Sequence, residues 1–136
     1  MASALICANV VTEQTVTFSD TITGSPQFAP VALGDEFHVV ITGAEAIFGE
    51  NPQIEFSYHL SLEYQFATGY DYCHIEGTGT AALPEGVHPC PAVPAIVDYT
   101  PTLTDVVLTD GTIGAVLNVE FTVTVCQDRM LNVQLA

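Results

Sequence analysis

Two cysteines and two histidines lie near each other in the middle of the chain and are the residue types best suited to chemistry. Cys73 and His74 are separated from His88 and Cys90 by thirteen residues. Thiolates and imidazoles are common zinc ligands, but paired ligands usually stand two to four residues apart, and adjacent strand residues point to opposite faces. Zinc is therefore the minor interpretation. We expect a disulfide between Cys73 and Cys90 that closes the loop between them, with unpaired thiols or other pairings as alternatives. The disulfide candidates are Cys7, Cys73, Cys90 and Cys126.

No arrangement in the sequence is typical of a catalytic centre. Cys73 beside His74 comes nearest, but neighbouring residues on a strand cannot form the hydrogen bond that activates a nucleophile. Phosphate-binding loops of the Gly-x-x-x-x-Gly-Lys type need a lysine, and the chain has none. We therefore expect no catalytic residues, no cofactor and no enzymatic activity.

Several carboxylates stand in segments that we expect to be loops. Loop carboxylates suit a hard cation such as calcium, yet no EF-hand pattern is present, so solvated acids are the main expectation. Divalent cations bound at these acids are the alternative. The residues are Asp35, Glu36, Glu45, Glu50, Asp105 and Asp110.

The charge of the chain excludes several classes of partner. Among 136 residues there are 16 acidic side chains and one basic side chain, Arg129, which gives a formal net charge of −15. Nucleic-acid binders owe most of their affinity to basic side chains that neutralise phosphates, so we expect no nucleic-acid partner. No apolar run approaches the roughly 18 to 20 residues of a membrane span, so we expect no membrane insertion.

Apolar and polar residues alternate with a period of two along much of the chain, and this pattern predicts strands. The clearest case is 53–68, where the thirteen alternating residues from Ile54 to Phe66 would span roughly 43 Å at about 3.3 Å each. We therefore expect a bend, a bulge or a strand shared by two sheets there. Alternation returns at 117–125, and before it Asp110-Gly111 predicts a two-residue hairpin turn. Further strands are expected at 10–23, 36–42, 70–75, 95–99 and 131–135, with a short helical turn at 43–49.

About eight strands separated by Gly and Pro predict an all-β fold, namely an antiparallel β-sandwich, a jelly roll or a related barrel. We expect residues 1–9 to form an N-terminal connector and residues 10–136 to form one sandwich domain. The segment 1–9 is small and apolar, so it could pair with the sheet edge of a neighbouring copy. Alternatively, it forms the frayed tip of the chain's own first strand. The expected subunit-interface residues are Leu5, Ile6, Cys7, Val10, Val16, Phe18 and Ile22.

In general architecture the chain resembles the self-assembling β-sandwich subunits of bacterial surface fibres, in particular the endospore-appendage family. The likeness rests on a short β-rich chain without an evident secretory signal, a thiol in the N-terminal segment at Cys7, and a late cysteine at Cys126. Members of that family tend to carry paired cysteines in the connector, whereas this chain has one. The resemblance implies a filament subunit at an extracellular, cell or spore surface. It also implies that the partner is the chain itself, with Cys7 bonded to a cysteine of another subunit.

Two other classes of protein are compatible with an acidic, β-rich chain of this size. A phage virion protein, from the head decoration or the tail, would form closed cyclic oligomers rather than fibres. A calcium- or carbohydrate-binding module would be a monomer whose melting temperature rises with its ligand.

Overall fold

The structure is a computed structural model that describes the backbone of residues 2–91 and 93–135, and the side chains of residues 9–91 and 93–128. This part of the chain contains seven strands and is all-β, as the alternation predicts. Within it no helix is long and apolar enough to cross a membrane. The strands are β1 (Ala2–Gly24), β2 (Pro30–Ile47), β3 (Gln53–Phe66), β4 (Gly69–Ala82), β5 (Val87–His88), β6 (Val97–Thr109) and β7 (Thr112–Leu135).

The strands form two antiparallel sheets packed face to face, an arrangement consistent with a β-sandwich. In the first sheet β7 is central, with β1 on one side and both β6 and β5 on the other. The second sheet has the order β2-β3-β4. Across the sandwich β1 packs on β4, and β2 packs on β6. The molecule therefore has a β1/β4 side and a β2/β6 side.

The core lies between the two central strands, β3 and β7. Inward residues of β3 from Ile54 to Tyr64 alternate with outward polar residues, and β7 does the same from Leu117 to Val125. Both predicted alternations are thereby confirmed. The rings of Phe56 and Phe121 meet across the sandwich with centroids 4.9 Å apart. Burial of these apolar side chains, worth about 25 cal/mol per Å² removed from water, holds the sheets together.

The turn predicted at Asp110-Gly111 is confirmed. β6 ends at Thr109 and β7 begins at Thr112, so two residues close the hairpin. Their φ angles of 48° and 80° both lie in the left-handed region that a type I′ turn requires. The Thr112 hydroxyl also donates a hydrogen bond to the Thr109 carbonyl at 2.8 Å.

Several expectations about strands need correction. Residues 131–135, expected as a separate strand, continue β7, and the described chain has seven strands where about eight were expected. Residues 43–47 do not turn but extend β2, because they pair with β3. The length of β3 produces no bulge in its pairing with β4, since the irregularities lie in β2. The structure does not confirm a jelly roll, because one sheet consists of three strands in chain order.

Candidate subunit-assembly site

Strand β1 presents a long regular edge that no other strand of the described chain covers. Its 23 residues pair with β7 from Ala2↔Leu135 to Gly24↔Ile113 without a register shift. Every second residue of such a strand directs its N–H and C=O outward, so the edge can template pairing with another chain. The neighbouring edge of β4 is regular too, because its register with β3 is uninterrupted.

The edge strands of the β2/β6 side, unlike those of the β1/β4 side, are interrupted by prolines and by shifts of register. Pro101 of β6 has no N–H to donate, and the register of β6 with β7 shifts between Thr104 and Val107. At that bulge Asp105 has a φ of 51°. β2 begins at Pro30, and its pairing with β3 shifts at three places. Prolines and bulges are the features by which sheet edges avoid pairing with other chains.

Beyond Gln127 the first sheet narrows to two strands. β6 pairs with β7 as far as Val123, and β5 pairs with it as far as Gln127. Within the described residues, 128–135 of β7 therefore pair with residues 2–9 of β1 and with no other strand. We call this two-stranded extension the terminal ribbon. The predicted connector, residues 1–9, coincides with its first strand over residues 2–9, and Met1 lies outside the described residues.

A disulfide stands where the terminal ribbon begins. It joins Cys90 to Cys126 with their Cα atoms 4.9 Å apart. Because Cys126 pairs with His88 of β5, the bond holds this short strand against β7. The expected bond between Cys73 and Cys90 is therefore wrong. Cys73 is a free thiol buried in the core on β4, where desolvation, aided by the charge of Asp71, raises its pKa and keeps it protonated.

The four residues of the zinc interpretation do not come together. Cys90 is consumed by the disulfide, and Cys73 faces the core while its neighbour His74 faces solvent. His88 lies beside Asp128, with 3.5 Å between Nε2 and Oδ1. In the part of the chain that the structure describes, no group of three or more His, Cys, Asp or Glu side chains could hold one ion.

The carboxylates considered for calcium are also dispersed. Glu45 lies opposite Glu55 in the β2–β3 pairing, and Asp110 occupies the β6–β7 turn. Asp35 and Glu36 belong to the segment where the β2–β3 register shifts. These positions offer pairs of acids rather than a set converging on one point.

The side chains predicted for subunit contact are used inside the subunit wherever they reach the core. Val16, Phe18 and Ile22 all pack into the core cluster of their own domain. The ring of Phe18 meets that of Phe56 edge to face at 4.9 Å. Along residues 10–24, β1 therefore offers a neighbour its main-chain edge.

The remaining predicted contacts fall at or within the terminal ribbon. Val10 is half-buried at its base. The side chains of Leu5, Ile6 and Cys7 lie outside the described residues, although their backbone pairs with Asn132, Leu131 and Met130.

The outer face of the second sheet carries a polar network that the sequence alone did not reveal. His59 Nδ1 lies 3.0 Å from Glu76 Oε1, and His59 Nε2 lies 3.0 Å from His74 Nδ1. The Ser61 hydroxyl is 3.2 Å from the same His74 nitrogen. A two-residue turn after Phe66 sets the register that places these residues opposite one another. The turn at residues 67–68 is the sequence signal from which the network could have been predicted.

A second set of contacts fixes the bulged part of β2 on the same face. The Tyr72 hydroxyl donates to Glu36 Oε2 at 2.6 Å, and the Asp35 N–H donates to Glu63 Oε1 at 2.9 Å. The hydrogen bond from Tyr72 lowers the pKa of Glu36, with His38 acting in the same direction. The same bond raises the pKa of Tyr72 to about 12, because an ionised Tyr72 could no longer donate this hydrogen bond and its negative charge would lie beside a carboxylate.

Compared with family profiles, with curated proteins and with solved structures, the chain shows no match. The sheet edges, the terminal ribbon and the polar network are therefore the features that bear on its function.

Proposed function

We propose that this chain is a structural subunit of an extracellular or cell-surface filament and has no catalytic activity. Copies associate through the N-terminal segment 1–9 and through pairing along the open edge of β1. The single observation that carries this proposal is the uninterrupted β1 strand, whose outer edge is open along its described length and whose first residues stand in the terminal ribbon.

The terminal ribbon supports association because it lacks a third strand. A two-stranded antiparallel pair is marginally stable in water, since it has too little surface against which to pack. Its outer main-chain groups also need partners, and water satisfies them less specifically than a neighbouring strand would. Docking on the sheet edge of another copy supplies both packing and hydrogen bonds. A contact of this head-to-tail kind does not close on itself, so it propagates into a filament.

Charge opposes association and sets its conditions. Copies of a chain with a net charge of −15 repel one another, and that repulsion is screened by salt over a Debye length of about 10 Å at 0.1 M. Assembly should therefore be promoted by higher ionic strength, by divalent cations or by acid that protonates the carboxylates.

The cysteines narrow the covalent links that could join subunits. Cys90 and Cys126 are bonded to each other, and Cys73 is buried. Cys7, in the terminal ribbon, is then the thiol that an inter-subunit disulfide would use; because each copy has one Cys7, a Cys7–Cys7 bond would join copies in pairs in addition to the head-to-tail contact. Such a link agrees with the resemblance to endospore-appendage subunits, in which an N-terminal thiol connects subunits.

The proposal is tested by negative-stain electron microscopy of the purified chain, with and without reductant, beside a chain that lacks residues 1–9. Filaments are expected for the full chain, and they should shorten in reductant and in a Cys7→Ser variant. The truncated chain should be monomeric, with a far-ultraviolet circular dichroism spectrum that still shows β structure.

Other outcomes would contradict the proposal in distinguishable ways. Filaments that persist after removal of residues 1–9 would refute the connector role. Closed rings of uniform size would favour the phage virion alternative. A monomer under all conditions of salt and pH would favour a ligand-binding module.

A further inference from the structure

The histidines on the outer face of the second sheet are arranged so that two of their ring nitrogens converge. His59 Nε2 and His74 Nδ1 are 3.0 Å apart, and the two rings are tilted by 52° with their centroids 5.1 Å apart. The residues belong to neighbouring strands, β3 and β4, in an uninterrupted register. Strands position side chains more accurately than loops do, so the two nitrogens start from a fixed spacing.

Glu76 determines which nitrogen of His59 is free. An ionised carboxylate only accepts hydrogen bonds, so His59 Nδ1 must carry the proton that bridges the 3.0 Å to Glu76 Oε1. In the neutral ring Nε2 then presents a lone pair toward His74. A carboxylate bonded to one nitrogen of an imidazole, whose other nitrogen binds a metal, is the arrangement by which proteins fix the tautomer of a metal-binding histidine.

His74 can supply the second lone pair. When its Nδ1 carries a proton, that proton bonds to His59 Nε2; when the proton moves to Nε2 of His74, two lone pairs face each other 3.0 Å apart. That second form is repulsive unless a cation lies between the nitrogens. The Ser61 hydroxyl, 3.2 Å from His74 Nδ1, can donate to that nitrogen in the absence of a cation or turn toward one.

The spacing of the nitrogens is compatible with two bonds to one metal ion. With metal–nitrogen bonds of about 2.0 Å, two ligands at right angles are about 2.8 Å apart, whereas tetrahedral ligands are about 3.3 Å apart. The observed 3.0 Å lies between these values, so modest rotation of the rings suffices for either geometry. Right-angled nitrogen and oxygen ligands are typical of Cu²⁺, which also binds such ligands most strongly among the divalent first-row metals.

We propose that His59 and His74 bind one divalent late transition-metal ion, Cu²⁺ in preference to Zn²⁺, with Glu76 as the positioning residue behind His59. Because no third His, Cys, Asp or Glu of the described chain converges on this point, water completes the coordination. His74 is exposed and the side chain of His59 is partly exposed, so solvent water reaches the site. The negative charge of the chain concentrates cations at its surface.

The test is a titration of the full chain, first freed of metals, with CuSO₄ in a weakly competing glycine buffer. One equivalent should bind, and its electron paramagnetic resonance spectrum should show two equatorial nitrogens. His59→Gln and His74→Gln should each weaken binding at least tenfold and remove one nitrogen from the spectrum. Glu76→Gln should keep both nitrogens and weaken binding by about 10- to 100-fold.

Matched controls come from the two other histidines. His38→Gln, on the same sheet, and His88→Gln, beside Asp128, should leave the Cu²⁺ affinity unchanged. Zn²⁺ should compete weakly and Ca²⁺ not at all. The proposal is overturned if no Cu²⁺ binds tightly enough to withstand the glycine buffer. It is also overturned if the His59→Gln, His74→Gln double variant binds as the unaltered chain does, since the ion would then lie elsewhere, for example at the N-terminal amine.

Discussion

The two sides of the sandwich differ in the regularity of their edge strands. On the β1/β4 side both edge strands run in unbroken register with their neighbours, and β1 is the longer of them. On the β2/β6 side both edge strands carry prolines and bulges. An edge protected against pairing is ordinary in a soluble β protein, whereas a long regular edge normally leads to association. The contrast within one molecule supports the proposal that copies pair along the open side.

Two glycines of β4 and one of β2 differ in the space around them. In β4, Gly77 and Gly79 lie against the rings of Tyr58 and Phe56, where a Cβ atom would collide with them. In β2, Gly43 has only the Ser57 hydroxyl near its missing Cβ, at 3.6 Å. β4 is therefore closely packed on aromatic rings at Gly77 and Gly79, while β2 leaves room for a side chain at Gly43.

The largest effect on assembly is expected from a proline placed in β1 as Pro101 is placed in β6. Proline on an edge strand is tolerated where its nitrogen faces outward, so Pro101 implies an outward orientation opposite Val119. Val119 must then bond to Phe18 on β1, which leaves the N–H of the preceding residue, Thr17, directed outward. Thr17→Pro should therefore remove an outward donor without removing a bond to β7.

If copies pair along β1, Thr17→Pro should raise the critical concentration for filament formation at least about tenfold, since one lost hydrogen bond and the steric block each cost about 1 kcal/mol or more. Thr17→Val is the matched control, because it keeps the N–H and should assemble normally. Light scattering against concentration measures both. Equal assembly of the two variants would show that the β1 edge is not the contact.

Removal of the disulfide tests how much it contributes to stability by holding β5 against β7 at the base of the terminal ribbon. In the chain-entropy model, a disulfide that closes a loop of 36 residues stabilises the folded protein by about 4 kcal/mol. The double variant Cys90→Ala, Cys126→Ala should lose about 3 to 4 kcal/mol of unfolding free energy in urea. Reductant should lower the stability of the unaltered chain by a similar amount and leave the double variant unchanged. A loss below about 1 kcal/mol would mean that the bond is not formed as described.

A pair of glycine substitutions compares the packing of the two sides. In Gly79→Ala the new Cβ would lie 2.7 Å from Phe56 Cζ and 3.0 Å from Phe18 Cε2, so we expect a loss of about 1 to 3 kcal/mol. In Gly43→Ala the contact is ordinary, and the change should stay within about 0.5 kcal/mol. Urea unfolding measures both. If the two variants lost equal stability, β4 would not be the more closely packed strand.

The smallest effect concerns the contacts that hold the bulge of β2. Tyr72 has a pKa of about 12 because its hydroxyl donates to Glu36. In Glu36→Gln the carboxylate is gone, so the phenolate should form at lower pH, closer to the ordinary value of about 10. Absorbance near 295 nm, with Tyr72→Phe to identify the signal, measures the change. An unshifted titration in Glu36→Gln would show that Glu36 does not hold Tyr72.

Local patterns in the sequence predicted the parts of the fold that depend on local geometry. Alternation identified the buried faces of β3 and β7, and Asp110-Gly111 identified the hairpin between β6 and β7. Both follow from the two-residue period of a strand and from the φ angles that Asp and Gly tolerate.

Features that depend on sheet order could not be predicted in the same way. Cys90 meets Cys126 because β5 pairs with β7, a contact between residues 36 apart in sequence. The convergence of His59 and His74 needs the exact turn length between β3 and β4 as well as the alternation. Periodicity indicates which face a residue occupies but not which strand lies beside it, so the edges and the disulfide had to come from the structure.

The most direct test of the proposed β1 contact is amide hydrogen exchange, measured on the filaments and on the dissociated chain. Because the open edge of β1 is where copies are proposed to pair, residues 10–24 should gain strong protection on assembly, while residues 97–109 of β6 should not. Gained protection in β6 or β2 with none in β1 would contradict that contact.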